Sequence, residues 1–220
     1  MLSRRRLFSL PAAAVVPALA DPSEPLDLPE DFESSPEDTL AGLQRLSANR
    51  KYYKARLKIQ AEYRDRLAEI LGLANRVTLY LLDFAMIEKP DSEEDENRYY
   101  YIKPYKLFST ILQTRELDAK DRGACIEHLQ RLLRTRGDET RSAFCHYPIH
   151  AVRVHLDDDI LFSTSFCWKC SNYFVPYPDD DSATWVGLND PVLEKFLKAQ
   201  LPIPASEIER FRRSQEERPK

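Results

Sequence analysis

The stretch Cys145-His146-Tyr147-Pro148-Ile149-His150-Ala151-Val152-Arg153-Val154-His155-Leu156-Asp157-Asp158-Asp159-Ile160-Leu161-Phe162-Ser163-Thr164-Ser165-Phe166-Cys167-Trp168-Lys169-Cys170 decides how this chain of 220 residues is to be read. Two runs rich in β-branched and aromatic residues, His150–Leu156 and Ile160–Phe166, flank the acidic turn Asp157-Asp158-Asp159, a pattern that predicts a β-hairpin. A hairpin returns the end of its second strand to the start of its first. Cys145, His150, Cys167 and Cys170 are therefore expected to converge at one end of a sheet, with Cys125 and His146 as secondary members of the group.

Outward from the hairpin, further strands are predicted at Val77–Met86, Arg98–Tyr105, Leu107–Gln113, Ser171–Tyr177 and Thr184–Leu188. Asp83 interrupts the first of these. Ser35-Pro36-Glu37-Asp38 supplies a cap residue, proline at the first helical position and acids in the first turn. One long helix, or a helical hairpin broken near Ser47–Asn49, follows from it and ends at Gly72 or Asn75. Helices are also expected over Asp118–Thr135 and from Asn189-Asp190-Pro191 through Lys198. Ser206–Glu217 reads as a polar closing helix or tail. Strands in blocks with helices between the blocks predict an α+β fold with a mainly antiparallel sheet, an N-terminal helix or helical hairpin, a central helix and a C-terminal helix. The chain has no Gly-x-Gly-x-x-Gly and no phosphate-binding loop, and the blocks do not alternate singly as in a dinucleotide-binding sheet.

Cys145-x-x-Pro148-x-His150-Ala151-Val152-x-Val154, a second strand and Cys167-x-x-Cys170 resemble the core of a family of uncharacterised bacterial proteins. The resemblance covers residues 144 to about 174, and members often carry arginine where Ile149 stands. It implies the hairpin architecture and no activity.

Three chemistries compete for the group. Disulfides suit four cysteines in an oxidising compartment, for example Cys167 with Cys170 and Cys125 with Cys145. A structural zinc would take Cys145, Cys167, Cys170 and either His150 or His146 in a tetrahedral set. Thiol–disulfide exchange would use Cys-x-x-Cys, although Ser171-Asn172-Tyr173-Phe174 reads as strand where a thiolate-stabilising helix would begin. Among weaker signals, Cys125 and His128 lie three apart on one helix. His155 is expected at the surface. Tyr99-Tyr100-Tyr101 and Tyr105 form either an aromatic ligand face or a half-exposed strand, and Asp179-Asp180-Asp181 reads as a solvated turn.

Arg4-Arg5-Arg6, the apolar run Leu7–Val16 and Ala18-Leu19-Ala20 have the order of a cleavable signal peptide, residues 1–20, with cleavage between Ala20 and Asp21. Ser3-Arg4-Arg5-Arg6-Leu7-Phe8 partly matches a twin-arginine signal, so the general secretory and twin-arginine routes both stand. Residues 21–36, rich in proline and acids, are expected to form a flexible spacer, residues 37–204 one α+β domain, and residues 205–220 the polar tail. Hydrophobic residues make up 43% of the chain, enough to build a core, and no second apolar stretch is long enough to span a bilayer. The net charge of −4 becomes more acidic once the leader's arginines are gone, which argues against nucleic acid as a partner. The expectation is an exported, periplasmic or secreted, binding or structural module. Its partner would be a protein or small-molecule ligand, and its Cys/His cluster would serve structure. The rival expectation is a redox or zinc enzyme using Cys145, His150, Cys167 and Cys170.

Overall fold

The structure, a computed structural model, describes residues 36–88, 98–136, 139–140, 146–177 and 183–216. The leader, the spacer, Asp179–Asp181 and Cys145 lie outside the described residues. The chain divides into two units, Met1–Arg50 and Lys51–Lys220. Helix α1 (Pro36–Leu71) begins at the predicted proline and runs as one element through Ser47–Asn49, so the helical-hairpin alternative does not hold. It ends where Gly72, Leu73 and Ala74 donate to Glu69, Ile70 and Leu71 in a tightened last turn.

The strands of the second unit form one sheet. They are β1 (Arg76–Ile87), β2 (Tyr99–Ile102), β3 (Leu107–Glu116), β4 (Glu139–Thr140), β5 (His150–Leu156), β6 (Asp159–Cys167), β7 (Asn172–Pro176) and β8 (Ala183–Gly187). Their order is β2-β3-β1-β5-β6-β7-β8-β4, and every pair is antiparallel. The strands before and after the central helix are thus joined through the β1–β5 pairing. The predicted hairpin is β5–β6, with Leu156 opposite Asp159 across a two-residue turn. Asp157 takes φ 53°, which an aspartate tolerates, and Asn75 clamps it by donating to its carboxylate at 2.7 Å and accepting from its N–H at 3.0 Å.

Period-two alternation sorts the side chains onto two faces. On one, Val77, Leu79, Leu81, Val152, Val154, Phe162, Phe166, Tyr173 and Val175 pack against three helices. These are α1, α2 (Ala119–Arg134) and α3 (Pro191–Gln200), which contribute among others Leu67, Leu71, Cys125, Leu129, Leu133, Leu193 and Leu197. Asp118 caps α2 and Asp190 caps α3, each accepting backbone N–H groups. The other face carries Tyr80, Leu82, Tyr100, Ile102, Ala151, Phe174 and Trp185. No helix covers it. The sheet curls so that β2 lies over its centre: the Tyr100 hydroxyl is within 3.0 Å of Val152 O, 2.9 Å of Thr164 O and 2.7 Å of Ser163 Oγ. The predicted strand Arg98–Tyr105 stops at Ile102 because Pro104 starts a single 3-10 turn, Lys103–Tyr105, which sets Tyr105 against Trp185.

The interruption at Asp83 is a pair of register shifts in β1, between Leu81 and Leu82 and again before Met86. The Asp83 carboxylate accepts from the Ala85 N–H at 2.8 Å and pairs with Arg210 at 2.7 Å. Arg210 belongs to the last helix, α4 (Ala205–Glu216), which is tied to the sheet where the bulge re-aims Phe84.

Candidate functional site

Where β5 begins and β6 ends, alternation separates two groups that the hairpin brings to the same edge. His150 sits opposite Phe166 on the helix-covered face, whereas Cys167, one residue on, pairs with Asn172 on the other. The expectation that His150 joins Cys167 around one centre therefore fails on side-chain parity. His150 is also fully committed: Nε2 donates to Leu201 O at 2.8 Å and Nδ1 accepts from Trp168 Nε1 at 2.9 Å. Neither ring nitrogen keeps a lone pair for a metal. Burial, partly offset by the Leu201 hydrogen bond, pushes its pKa down to about 4.

On the other face His146 is equally enclosed, 2% exposed. Its Nδ1 lies 2.7 Å from Asn172 Oδ1 and its Nε2 lies 2.8 Å from Ser165 Oγ. Asn172 Oδ1 only accepts, so Nδ1 carries the proton and Nε2 accepts from the Ser165 hydroxyl. The order serine, histidine, asparagine is that of a nucleophile, its base and an orienting group. Ser165 is nonetheless fully buried, and the ring of Trp185 lies 4.7 Å from that of His146. Among the described residues the trio is a closed, buried polar network, and burial lowers His146 to about 4.

Cys125 and Cys167 are free thiols, so neither sequence-level pairing, Cys167 with Cys170 or Cys125 with Cys145, is present. Cys125 faces the core from α2, where burial pushes its pKa up to about 12, and His128 lies against Phe196 and Arg131 instead of activating it. Cys167 Sγ accepts the N–H groups of Tyr147 and Cys170, each at 3.3 Å. Burial raises its pKa, and these donors offset the rise only in part. The Cys170 bond closes the turn Cys167–Cys170, the Tyr147 bond ties it to the segment before β5, and Ser171 leaves it at φ 48°. Among the described residues no three His, Cys, Asp or Glu side chains gather closely enough to hold a metal ion. His155, expected at the surface, is almost covered beside Arg76, whose Nη2 lies 3.2 Å from its Nδ1.

The same turn builds a cavity. Trp168 and Lys169, the two residues between the cysteines, wall a half-open pocket of about 150 Å³ with Tyr147, Ile149 and Phe84 of the sheet. Ile203, Ile208 and Phe211 close it from the α3–α4 side, and Lys198 and Glu207 stand at its margin. Its wall is almost wholly apolar. Trp168 is fixed on one side by its hydrogen bond to His150 and on the other by stacking on Phe166, at 5.4 Å and 7°. Phe211 meets the edges of Phe84 and Tyr147 at 5.0 and 5.1 Å. His150, read from sequence as a ligand, is here a positioning residue that ties Trp168 to the end of α3 through Leu201. Phe84, Ile203, Ile208 and Phe211 were not read as site residues. Their signal was the apolar i, i+3 pair Ile208 and Phe211 on an otherwise polar helix. No helix among the described residues is long and apolar enough to cross a membrane. Comparison with protein-family models, with curated proteins and with solved structures finds no match.

Proposed function

We propose that this protein is an exported, non-catalytic binding module that holds a small, apolar-bodied ligand in the pocket between the Cys167–Cys170 turn and α4. The observation that carries the reading is the pocket itself. It is a half-open, nearly all-carbon cavity of about 150 Å³ whose aromatic walls are locked by His150 and Phe166. Ligand sites are commonly concave, apolar and formed in advance. A volume of this size takes an apolar group about as large as benzene. The alternative of thiol catalysis draws no support from Cys125 or Cys167, since burial raises both thiols away from the nucleophilic thiolate.

In this reading the role of Cys170 is structural, as one half of a disulfide. Cys125 and Cys167 are free thiols, so neither takes part in it. A disulfide accords with the leader-like first twenty residues and an oxidising destination.

The test is calorimetric titration with phenylacetamide, a neutral one-ring probe, on the wild type and on Ile208→Trp. Ile208 is 57% exposed, so the larger side chain can enter the pocket mouth without disturbing the core. Saturable binding to the wild type and its loss in a normally folded Ile208→Trp are expected. Binding unaffected by the plug would place the ligand elsewhere and remove the proposal.

A further inference from the structure

We infer that the pocket's ligand is a small monocarboxylate: one ring or branched chain lies in the cavity and its carboxylate meets the ammonium group of Lys169. This rests on the pocket reading above and names the ligand class for that site. Three charged side chains border the cavity, Lys169, Lys198 and Glu207. Lys198 pairs with Glu194 at 2.5 Å, and Glu207 shares Arg210, at 2.5 Å, with Asp83. Lys169 differs. Its Nζ donates to the neutral amide of Gln215 at 2.7 Å, and among the described residues no carboxylate lies within ion-pair reach of it.

Among the described residues the ammonium is held in place as well as uncompensated. It lies 5.3 Å from the centre of the Tyr147 ring and 5.1 Å from that of Phe211, both of which wall the cavity. The aromatic faces and the Gln215 amide fix its position without cancelling its charge. A cation at the mouth of an apolar cavity complements an amphipathic anion, with the hydrocarbon inside and the charge at the rim. A charge-assisted hydrogen bond in this setting is roughly twice as strong as a neutral one. The volume limits the apolar part to about one ring, which favours a free small molecule over a longer chain.

The experiment compares phenylacetate with phenylacetamide, isosteric probes that differ in charge, by calorimetry at low salt. Wild-type protein is expected to bind the acid about tenfold more tightly than the amide. Lys169→Gln should lose that preference, the ratio of acid to amide affinity falling to about one. Added salt should weaken the acid alone. Equal affinity of the wild type for acid and amide would overturn the carboxylate inference and leave the pocket reading intact, whereas no binding of either would overturn both. A third titrant, a short peptide ending in phenylalanine, decides the source of the carboxylate. Binding of the peptide much tighter than phenylacetate would contradict a free small molecule. If Lys169→Gln fails to fold, the acid–amide ratio in the wild type and its salt dependence still decide.

Discussion

His146 and His150 are two imidazoles on opposite faces of one hairpin, both buried and both neutral. Each is held near pKa 4, chiefly by burial. In the unfolded chain each takes up a proton near pH 6.5. Between about pH 6.5 and 4 the unfolded state therefore binds more protons than the folded one, so stability falls as pH drops through that window and is fully present above it. Each histidine contributes on the order of 3 kcal/mol to that loss. Urea midpoints at pH 7, 5.5 and 4.5 should decline steeply, and His150→Gln should show a shallower decline. A midpoint constant from pH 7 to 4.5 would contradict the neutral, enclosed imidazoles. His150 and Cys167 stood out in the sequence, but their roles did not, nor did the pocket residues Phe84, Ile203, Ile208 and Phe211. Spacing placed Cys145, His150, Cys167 and Cys170 near one edge, yet only the register of β5 against β6 puts His150 and Cys167 on opposite faces. The partners that commit His150, Leu201 and Trp168, lie 51 and 18 residues away, beyond any local pattern.

At the scale of elements, α4 shows how a helix that reads as a polar tail can complete a site. Its charged residues make local pairs, Arg212 and Arg213 with Glu209, whose contribution to stability is small in an exposed setting. Docking comes from Phe211 in its aromatic corner and from Arg210 on the bulge carboxylate of Asp83. Phe211→Ala should cost about 1–2 kcal/mol, because the ring is only part-buried, and should abolish probe binding by opening one side of the cavity. Arg210→Ala should cost about 1 kcal/mol or less and weaken binding, since α4 keeps its aromatic contacts. A stable Phe211→Ala that still binds phenylacetamide normally would show that α4 is no wall of the site. Elements with strong periodicity were read nearly to the residue: β5, β6, α2, and α3 with Asp190-Pro191. Where Pro104 broke a tyrosine-rich strand early, the proline itself was the missed signal.

For the molecule as a whole, one sheet buries both faces by two means, helices on one side and its own curl on the other. The antiparallel α+β class followed from strand blocks and intervening helices. The curl did not, because it depends on Tyr100 reaching across to β5 and β6, 52 and 64 residues along the chain. If Cys170 is held in a disulfide as proposed, reduction should lower the melting temperature, and Cys170→Ser should cost about 3 kcal/mol. Reductant should then have no further effect on that variant, and a wild-type melt indifferent to reductant would contradict the bond.

The measurement that bears most directly on the binding reading is a methyl-resolved NMR titration of the isoleucines with phenylacetamide. Ile149, Ile203 and Ile208 line the pocket, while Ile126 lies in the helix-covered core and Ile102 on the opposite face. Saturable shifts of the first three methyls, with Ile126 and Ile102 unmoved, are predicted. Shifts spread evenly over all five, or none at Ile149, Ile203 and Ile208 at saturating probe, would contradict a binding site between the Cys167–Cys170 turn and α4.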